Sequence, residues 1–495
     1  MIILHLPIFY SAILLTAVNL LLRFAGTAFQ VYLSSHIGAA GIGLLQLVMS
    51  VSGLAVVAGI AGIRTASMYL SAEELGKKQN QNVSWVLSGC FHYSILCSSF
   101  VALILYLSAP GIAAYWIGNH RTAEALRLFA SFLPCICLTN VMVGYFTAAN
   151  RIGTLAIVEV AEQLISMAVT IWALTSFAGS DPVRACQCVI LGSSLSASIT
   201  LLSLILLRAK EKPAVGSRLP MFRRLKDSAV PLALADITKS GINTAENLMV
   251  PKRLAMNIRI PDPLASFGII TGMVFPVLMF PACILFGLAE LLIPELARCA
   301  AAGNQRRICY LVQKSLRIAL LYGLTFGGLE FLLADKLCMQ LYNNPEAGNS
   351  LRLYATLIPM LYCDAITDAM TKGLGQQKIC VRYNILTSAM DVAFLWLLLP
   401  RYGMTGYFIS FTITHALNFI LSLKLLFKIT GESIPFHLPA FAGAAVLLSV
   451  WGAAVFSAPA ASAVAFLLLL GSLWCIFGVT GQEDLLWLKG LIHKK

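Results

Sequence analysis

The chain has 495 residues, of which 59% are hydrophobic and 12% are charged, and its formal net charge is +13. A soluble domain carries about a quarter charged residues, so this composition excludes an ordinary soluble protein and predicts a membrane protein. The positive charge is not gathered on a soluble domain, which argues against a nucleic-acid partner. The 13 cysteines form no CxxC pair, so we expect no metal site and no cofactor.

Apolar runs of about 20 residues, the length that crosses a bilayer as a helix, recur along the whole chain. The first lacks a basic lead and a cleavage site and runs on into further apolar sequence, so we expect a retained span rather than a signal peptide. The sequence predicts an all-α polytopic membrane protein with about fourteen transmembrane helices. The predicted spans are 8–34, 42–70, 86–109, 124–149, 154–177, 183–207, 228–250, 264–294, 308–333, 351–371, 379–400, 404–427, 437–457 and 460–480.

Two pairs of segments repeat along the chain at nearly the same offset. LRLFASFLP (126–134) opens the fourth predicted span and LRLYATLIP (351–359) opens the tenth, while GIGLLQ (41–46) in the second resembles GIITGM (268–273) in the eighth. A duplication explains both pairs. It predicts two pseudo-symmetric six-helix lobes around a central cavity, followed by two additional C-terminal helices.

The predicted domain boundaries follow from this repeat and from the basic stretch between its halves. The domains are an N-lobe at 1–207, a cytoplasmic basic linker at 208–227, a C-lobe at 228–430, and two extra helices with a cytoplasmic tail at 431–495. Cations such as Lys77 and Lys78 and those of the linker lie on one side of the predicted membrane. The positive-inside rule therefore predicts a cytoplasmic membrane protein with both termini in the cytoplasm.

Two arginines lie within predicted spans, where a charged side chain costs about 2.5–3.5 kcal/mol on insertion scales. Arg23 is near the middle of the first span, and Arg64 is in the inner half of the second. Guanidinium groups bind phosphate oxygens through paired hydrogen bonds, so these residues favour an anionic substrate. For Arg64, snorkelling towards the headgroups is the alternative.

Further polar residues share single helix faces on later spans, as Glu159 and Glu162 do on the fifth, and structural ion pairing is the alternative for the acidic ones. The predicted substrate-binding residues are Arg23, Arg64, Lys239, Asn243 and Arg253. The predicted cavity acids or coupling-ion ligands are Glu162, Glu246, Asp364 and Asp368. Pro276 and Pro281 predict a kink in the eighth span that acts in gating or is a static packing feature. We expect no catalytic residues.

Several segments resemble the multidrug/oligosaccharidyl-lipid/polysaccharide exporter superfamily, and within it the stage V sporulation protein B branch of Gram-positive bacteria. They include GYFTAANRIGTLAIVEVAEQL (144–164), PLALADITKSGINTAENLMVPKRL (231–254) and FGIITGMVFPVLMFPACILFGLAELLIPELA (267–297). The resemblance implies two six-helix lobes with two extra helices, and flipping of an undecaprenyl-pyrophosphate-linked sugar by alternating access. The polar positions of the branch fall on Arg64, Glu162, Gln163, Asn243, Glu246, Pro251 and Arg253.

The sequence thus favours a flippase for a lipid-linked saccharide, either a peptidoglycan precursor or a polysaccharide unit. We expect the lipid bilayer and this anionic substrate as partners, a coupling cation as a further ligand, and a monomer. A cation-coupled multidrug exporter of the same superfamily is the alternative, which the arginines argue against. A polyprenyl-linked sugar ligase or glycosyltransferase is less favoured, because the outer loops are short and carry no paired carboxylates. We therefore expect a transporter rather than an enzyme.

Overall fold

The computed structural model describes residues 6–76, 80–149, 151–179, 181–209, 221–431 and 437–479, and within them the chain is helical without a strand. The prediction of an all-α membrane protein is confirmed. Lys77, Lys78, residues 210–220 of the predicted linker and residues 480–495 of the predicted tail lie outside the described residues.

The α-helices of the described residues are α1 (Leu6–Ile60), α2 (Ile63–Gly76), α3 (Asn80–Gly111), α4 (Ala123–Ala148), α5 (Ile152–Ala173), α6 (Pro182–Ala209), α7 (Met221–Leu254), α8 (Pro263–Gly268), α9 (Phe275–Met279), α10 (Ala282–Ala301), α11 (Gln305–Tyr342), α12 (Pro345–Ala355), α13 (Ile358–Gly373), α14 (Gln377–Tyr402), α15 (Met404–Thr430), α16 (His437–Ala453) and α17 (Pro459–Ile476). Short π-helical segments follow α3, α5 and α8, at Ile112–Ile117, Leu174–Ala178 and Ile269–Val274, and a 3-10 turn at His120–Thr122 precedes α4.

Nine helices in the described residues are long and apolar enough to cross a membrane, or ten if the bent eighth span is included. The remaining predicted spans fail these criteria for separate reasons. The first two are joined in one helical stretch from Leu20 to Leu75, α16 is short, and the tenth is divided into α12 and α13. α7 carries a polar stripe that lowers its hydropathy. The count of fourteen stays a prediction.

The helical stretch over the first two spans is broken twice, each time by a glycine in the left-handed region. Gly38 divides α1 with φ 70°, at the predicted gap between the first and second spans. Ala61 and Gly62, with φ 43° and 74°, end α1 and separate it from α2. The predicted second span at 42–70 is therefore interrupted. Because residues with a side chain avoid this region, Ala61 marks a strained turn.

The chain forms two compact units. The first contains Met1–Gly272 and Val392–Met404, and the second contains Met273–Asp391 and Thr405–Lys495. The predicted lobe boundaries at residues 207, 228 and 430 remain a prediction.

Close helix contacts at small residues hold the first unit together. A side chain at Gly144 of α4 would collide with the Arg64 carbonyl of α2, and one at Gly268 of α8 would collide with the Ala39 carbonyl of α1. Glycine at such positions lets two helix backbones approach closely, which is how helices associate in membranes. α2 and α4 are thus fixed against each other directly beside Arg64.

In the second unit, α11 holds the C-terminal hairpin of α16 and α17. Gly328 of α11 lies against Val446 and Phe466, which belong to the buried cluster of the hairpin. Two cations of α11 donate to backbone carbonyls of the hairpin. Lys336 donates to Ser457, between α16 and α17, at 2.5 Å, and Arg317 donates to Val479, after α17, at 2.6 Å. The two extra helices predicted from the sequence are therefore docked on the second unit.

Candidate functional site

Arg64 lies in the first turn of α2 and lines a cavity of about 170 Å³ enclosed by α2, α4, α5 and α6. The helix break at Ala61 and Gly62 directly precedes it. The polar residues of the cavity wall are Arg64, Thr139, Asn140, Glu159, Glu162 and Thr200. Apolar side chains supply the rest of the wall. The structure thus brings together Arg64 and Glu162, which the sequence singled out on different spans.

Two carboxyl groups share this cavity with the arginine. Glu159 and Glu162 of α5 line it together with Arg64 of α2 and Thr200 of α6. Their spacing of three residues places both on one face of α5, as the sequence indicated. An anion that enters the cavity would meet the Arg64 guanidinium and both carboxyl groups, because all three line the same space.

α7 separates its polar residues onto two faces. One face is docked on α1: Thr244 donates to the Ser50 carbonyl at 3.1 Å, and the Asn247 amide donates to the Ser50 hydroxyl at 2.9 Å. The predicted residues Lys239 and Asn243 are exposed on the other side. This polar face stays available for a ligand while the helix is held in place by hydrogen bonds.

The other predicted residues of the first unit lie in different surroundings. Arg23 is exposed on the first half of α1, and Glu246 is half-buried on α7; both have interaction partners. The Arg253 guanidinium lies over the ring of Trp396 and also contacts the Met256 sulfur at 3.4 Å. A cation on an aromatic face is a stable arrangement in itself. The structure therefore does not bring Arg23 or Arg253 to the Arg64 cavity.

The predicted acids of the second unit are held by direct contacts. Asn418 of α15 donates its amide to both carboxylate oxygens of Asp364, at 3.2 and 3.3 Å. Lys372 and Asp368, one helical turn apart on α13, form an ion pair with 2.5 Å between nitrogen and oxygen. The amide oxygen of Asn418 is buried and has no hydrogen-bond partner among the described residues. This oxygen is therefore a free hydrogen-bond acceptor, among the described residues, on the side chain that binds Asp364.

Two acidic residues of the second unit were missed by the sequence analysis. Asp391 of α14 accepts hydrogen bonds from Ser410 at 2.5 Å and Thr414 at 3.1 Å. Glu330 of α11 is 5% exposed, and its Oε2 atom has no partner among the described residues. The available signal was a lone carboxylate in an apolar run, since Asp and Glu are rarely buried without a partner.

The eighth span is bent, as Pro276 and Pro281 predicted. The helical segments Pro263–Met279 and Ala282–Ala301 meet at an angle of 64°. The break falls at Phe280 and Pro281, whereas the helix passes Pro276 without interruption. The gating role of the two prolines stays a prediction.

Neither metal nor disulfide chemistry is indicated in the described part of the chain. All 13 cysteines are free thiols, and most of them are buried. No group of three or more His, Cys, Asp or Glu side chains among the described residues is arranged to hold a metal ion.

A family of polysaccharide biosynthesis proteins matches residues 37–258. Stage V sporulation protein B of Bacillus subtilis (strain 168) is 21% identical over 447 residues, which are 86% of each chain. A solved structure of the lipid II flippase MurJ in an inward closed conformation superposes with a TM-score of 0.67 at 12% identity, covering 98% of this chain and all of that one. An inward-facing multidrug resistance transporter of the MATE family gives 0.66 at 12% identity, over 86% of this chain and all of that one.

Proposed function

We propose that the chain is a member of the multidrug/oligosaccharidyl-lipid/polysaccharide exporter superfamily, in the part of it similar to stage V sporulation protein B, and that it flips a lipid-linked saccharide across the membrane. The substrate in this proposal is a polyprenyl-pyrophosphate-linked sugar, such as a peptidoglycan precursor or a polysaccharide unit. Transport proceeds by alternating access. The observation that carries the proposal is Arg64, a permanent cation in the wall of a cavity among four spans.

Arg64 makes this cavity better suited to a pyrophosphate than a site lined only by carboxylates would be. Its planar guanidinium matches phosphate oxygens with two parallel hydrogen bonds. Glu159 and Glu162 line the same cavity and supply negative charge near the arginine. The exposed stripe of Lys239 and Asn243 on α7 offers further hydrogen bonds to the headgroup and the sugar.

A coupling cation is the second part of the proposal. Asp364 accepts hydrogen bonds from the Asn418 amide nitrogen, and the amide oxygen of Asn418 has no hydrogen-bond partner among the described residues. Carboxylate and amide oxygens together suit a hard monovalent cation. Asp368, in contrast, is paired with Lys372. We place the transporter in the cytoplasmic membrane as a monomer with both termini in the cytoplasm, in keeping with the loop cations.

A cation-coupled multidrug exporter remains the second candidate, and the acids of the second unit favour it. Transport of lipophilic cations would use Asp364 and would not need Arg64. The two candidate functions therefore predict opposite results for the removal of Arg64: loss of transport for the flippase, and retained transport for the multidrug exporter.

The test is headgroup translocation of lipid II in proteoliposomes containing the full chain. Arg64→Ala should reduce the flipping rate at least about hundredfold, because it removes charge-assisted hydrogen bonds to the pyrophosphate. Arg127→Ala is the matched control, since Arg127 is an exposed arginine of the same unit that does not line the cavity. We expect Arg127→Ala to flip at the wild-type rate.

Two results would contradict the proposal. Unchanged flipping by Arg64→Ala would remove the role of the arginine. If both variants keep lipid II flipping and the protein also exports a lipophilic cation in a way that depends on Asp364, the multidrug exporter is favoured. Reconstitution of each variant at equal amounts separates both results from a failure of insertion.

A further inference from the structure

The bend of the eighth span coincides with a side chain inserted into its backbone hydrogen bonds. In an unbroken helix the Ala282 N–H would donate to the Leu278 carbonyl, four residues earlier. Here the Tyr362 hydroxyl donates to that carbonyl at 2.9 Å, and the backbone bond from the Ala282 N–H is not formed. A polar group inserted in this way is one of the few causes of a sharp helix kink.

A second tyrosine supports the same bend. The Tyr322 hydroxyl of α11 donates to the Pro281 carbonyl at 2.7 Å. The rings of Tyr322 and Tyr362 are 6.0 Å apart, so two neighbouring side chains hold both sides of the break. Pro281 also accepts from the Ile284 N–H at 3.4 Å, so its carbonyl depends less on the tyrosine.

Pro276 shows that proline alone does not set the bend. It too leaves a carbonyl without its usual partner, that of Gly272, four residues earlier. The Gln30 amide and the Ser34 hydroxyl of α1 lie 3.3 and 3.4 Å from the Gly272 oxygen and donate to it. The helix continues through this position, and no side chain separates a backbone donor from its acceptor there.

We propose that Tyr362, assisted by Tyr322, is a latch that holds the eighth span bent by replacing the backbone hydrogen bond between Ala282 and Leu278. When the hydroxyl leaves, the N–H and the carbonyl can pair directly and the helix straightens. The Leu278 carbonyl has a donor in either state, which is a requirement at membrane depth. The two shapes therefore differ by the position of one side chain.

This switch supplies a conformational step for the transport cycle, and it rests on the proposed function for its role. Tyr362 is 1% exposed and is a positioning residue: it is not part of the Arg64 cavity. Its loss should alter the rate of the conformational change and leave substrate binding unchanged.

The experiment compares Tyr362→Phe with wild-type protein in structure and in transport. Phenylalanine keeps the ring and removes only the hydroxyl, so the 64° bend should decrease in a structure of the variant. The turnover number for lipid II flipping should change about fivefold, the factor expected for one hydrogen bond, with KM unchanged. Tyr322→Phe should have the smaller effect on both measurements, because Ile284 still donates to the Pro281 carbonyl.

Tyr354→Phe is the matched control. Tyr354 is 2% exposed in the same unit, and its hydroxyl forms no hydrogen bond with the described residues. The control should keep the bend and the wild-type turnover. An unchanged bend in Tyr362→Phe would overturn the latch, and a reduced bend with unchanged turnover would overturn its role in transport.

The bend angle separates this inference from the proposed function. If the wild-type protein does not flip lipid II, the proposed function fails, but the structure of Tyr362→Phe still decides whether the hydroxyl holds the bend. A variant that elutes from size exclusion like wild type excludes misfolding as the cause of a changed angle.

Discussion

The two units use charge at membrane depth in different ways. In the first unit, Arg64, Glu159 and Glu162 surround a cavity, and their interaction crosses space that a ligand can enter. In the second unit, Asp391 is closed off by direct hydrogen bonds from Ser410 and Thr414. The difference teaches that a charged side chain within a span indicates a binding site only where its neighbours leave room beside it.

Removal of Asp391 tests the structural side of this comparison and should have the largest effect. Asp391→Ala removes the carboxylate that accepts from two buried hydroxyls and leaves them only backbone carbonyls, so we expect the free energy of unfolding in detergent to fall by about 2 kcal/mol. Asp391→Asn keeps one acceptor oxygen and should lose less. Thermal unfolding monitored by intrinsic fluorescence measures both variants.

Transport supplies the control for Asp391. Correctly folded Asp391→Asn should flip lipid II at close to the wild-type rate, because this carboxylate is buried and bonded to two neighbouring hydroxyls. A large loss of flipping with full stability would place Asp391 in the transport site and break the comparison.

The sequence predicted the helical class, the polar spans and the kinked eighth helix, but it did not predict which charges share a space. Hydropathy and helical spacing are properties of one span, so they found the pair Glu159 and Glu162 on α5. The meeting of that pair with Arg64 depends on how α2 packs on α4 at Gly144. Asp391 was missed because a single carboxylate in an apolar run has no periodicity.

The same limit applies to the bend. Two prolines predicted a kinked span, and a sequence cannot tell which of them bends it. That depends on Tyr362, which lies 81 residues after Pro281 in the chain and reaches the Leu278 carbonyl only in the folded unit. The helix break at Ala61 was also unforeseen, because alanine ordinarily favours a continuous helix.

Neutralisation of the cavity carboxylates tests the ligand-binding side of the comparison. Glu159→Gln with Glu162→Gln removes two negative charges that compete with an anion for Arg64. We expect the apparent affinity for lipid II to rise about tenfold at low salt. Flipping rates over a range of lipid II concentrations measure it.

Neutralisation of a carboxylate outside the cavity provides the control for this double variant. Glu124→Gln lies in the same unit, where Glu124 accepts from Gln187 at an exposed position outside the cavity. It should leave the affinity unchanged. An unaltered or lower affinity in the double variant would show that Arg64 does not meet the anionic headgroup.

The smallest effect is expected at an ion pair outside the spans, where water replaces any lost contact. Arg121 hydrogen-bonds Asp181 beside the start of α6 and lowers the pKa of that carboxyl, with help from the Val183 N–H. A lowered pKa stabilises the fold at pH values above the ordinary carboxyl value of ~3.9, and the stabilisation is lost as the pH falls through the lowered one. Asp181→Asn should thus lower the unfolding temperature by about 1 °C or less at pH 7. The difference between the variant and the wild-type protein should vanish once the pH is below the lowered pKa of Asp181. A shift as large as that of Asp391→Ala would mean that exposed and enclosed charges contribute alike, against the distinction drawn between the two units.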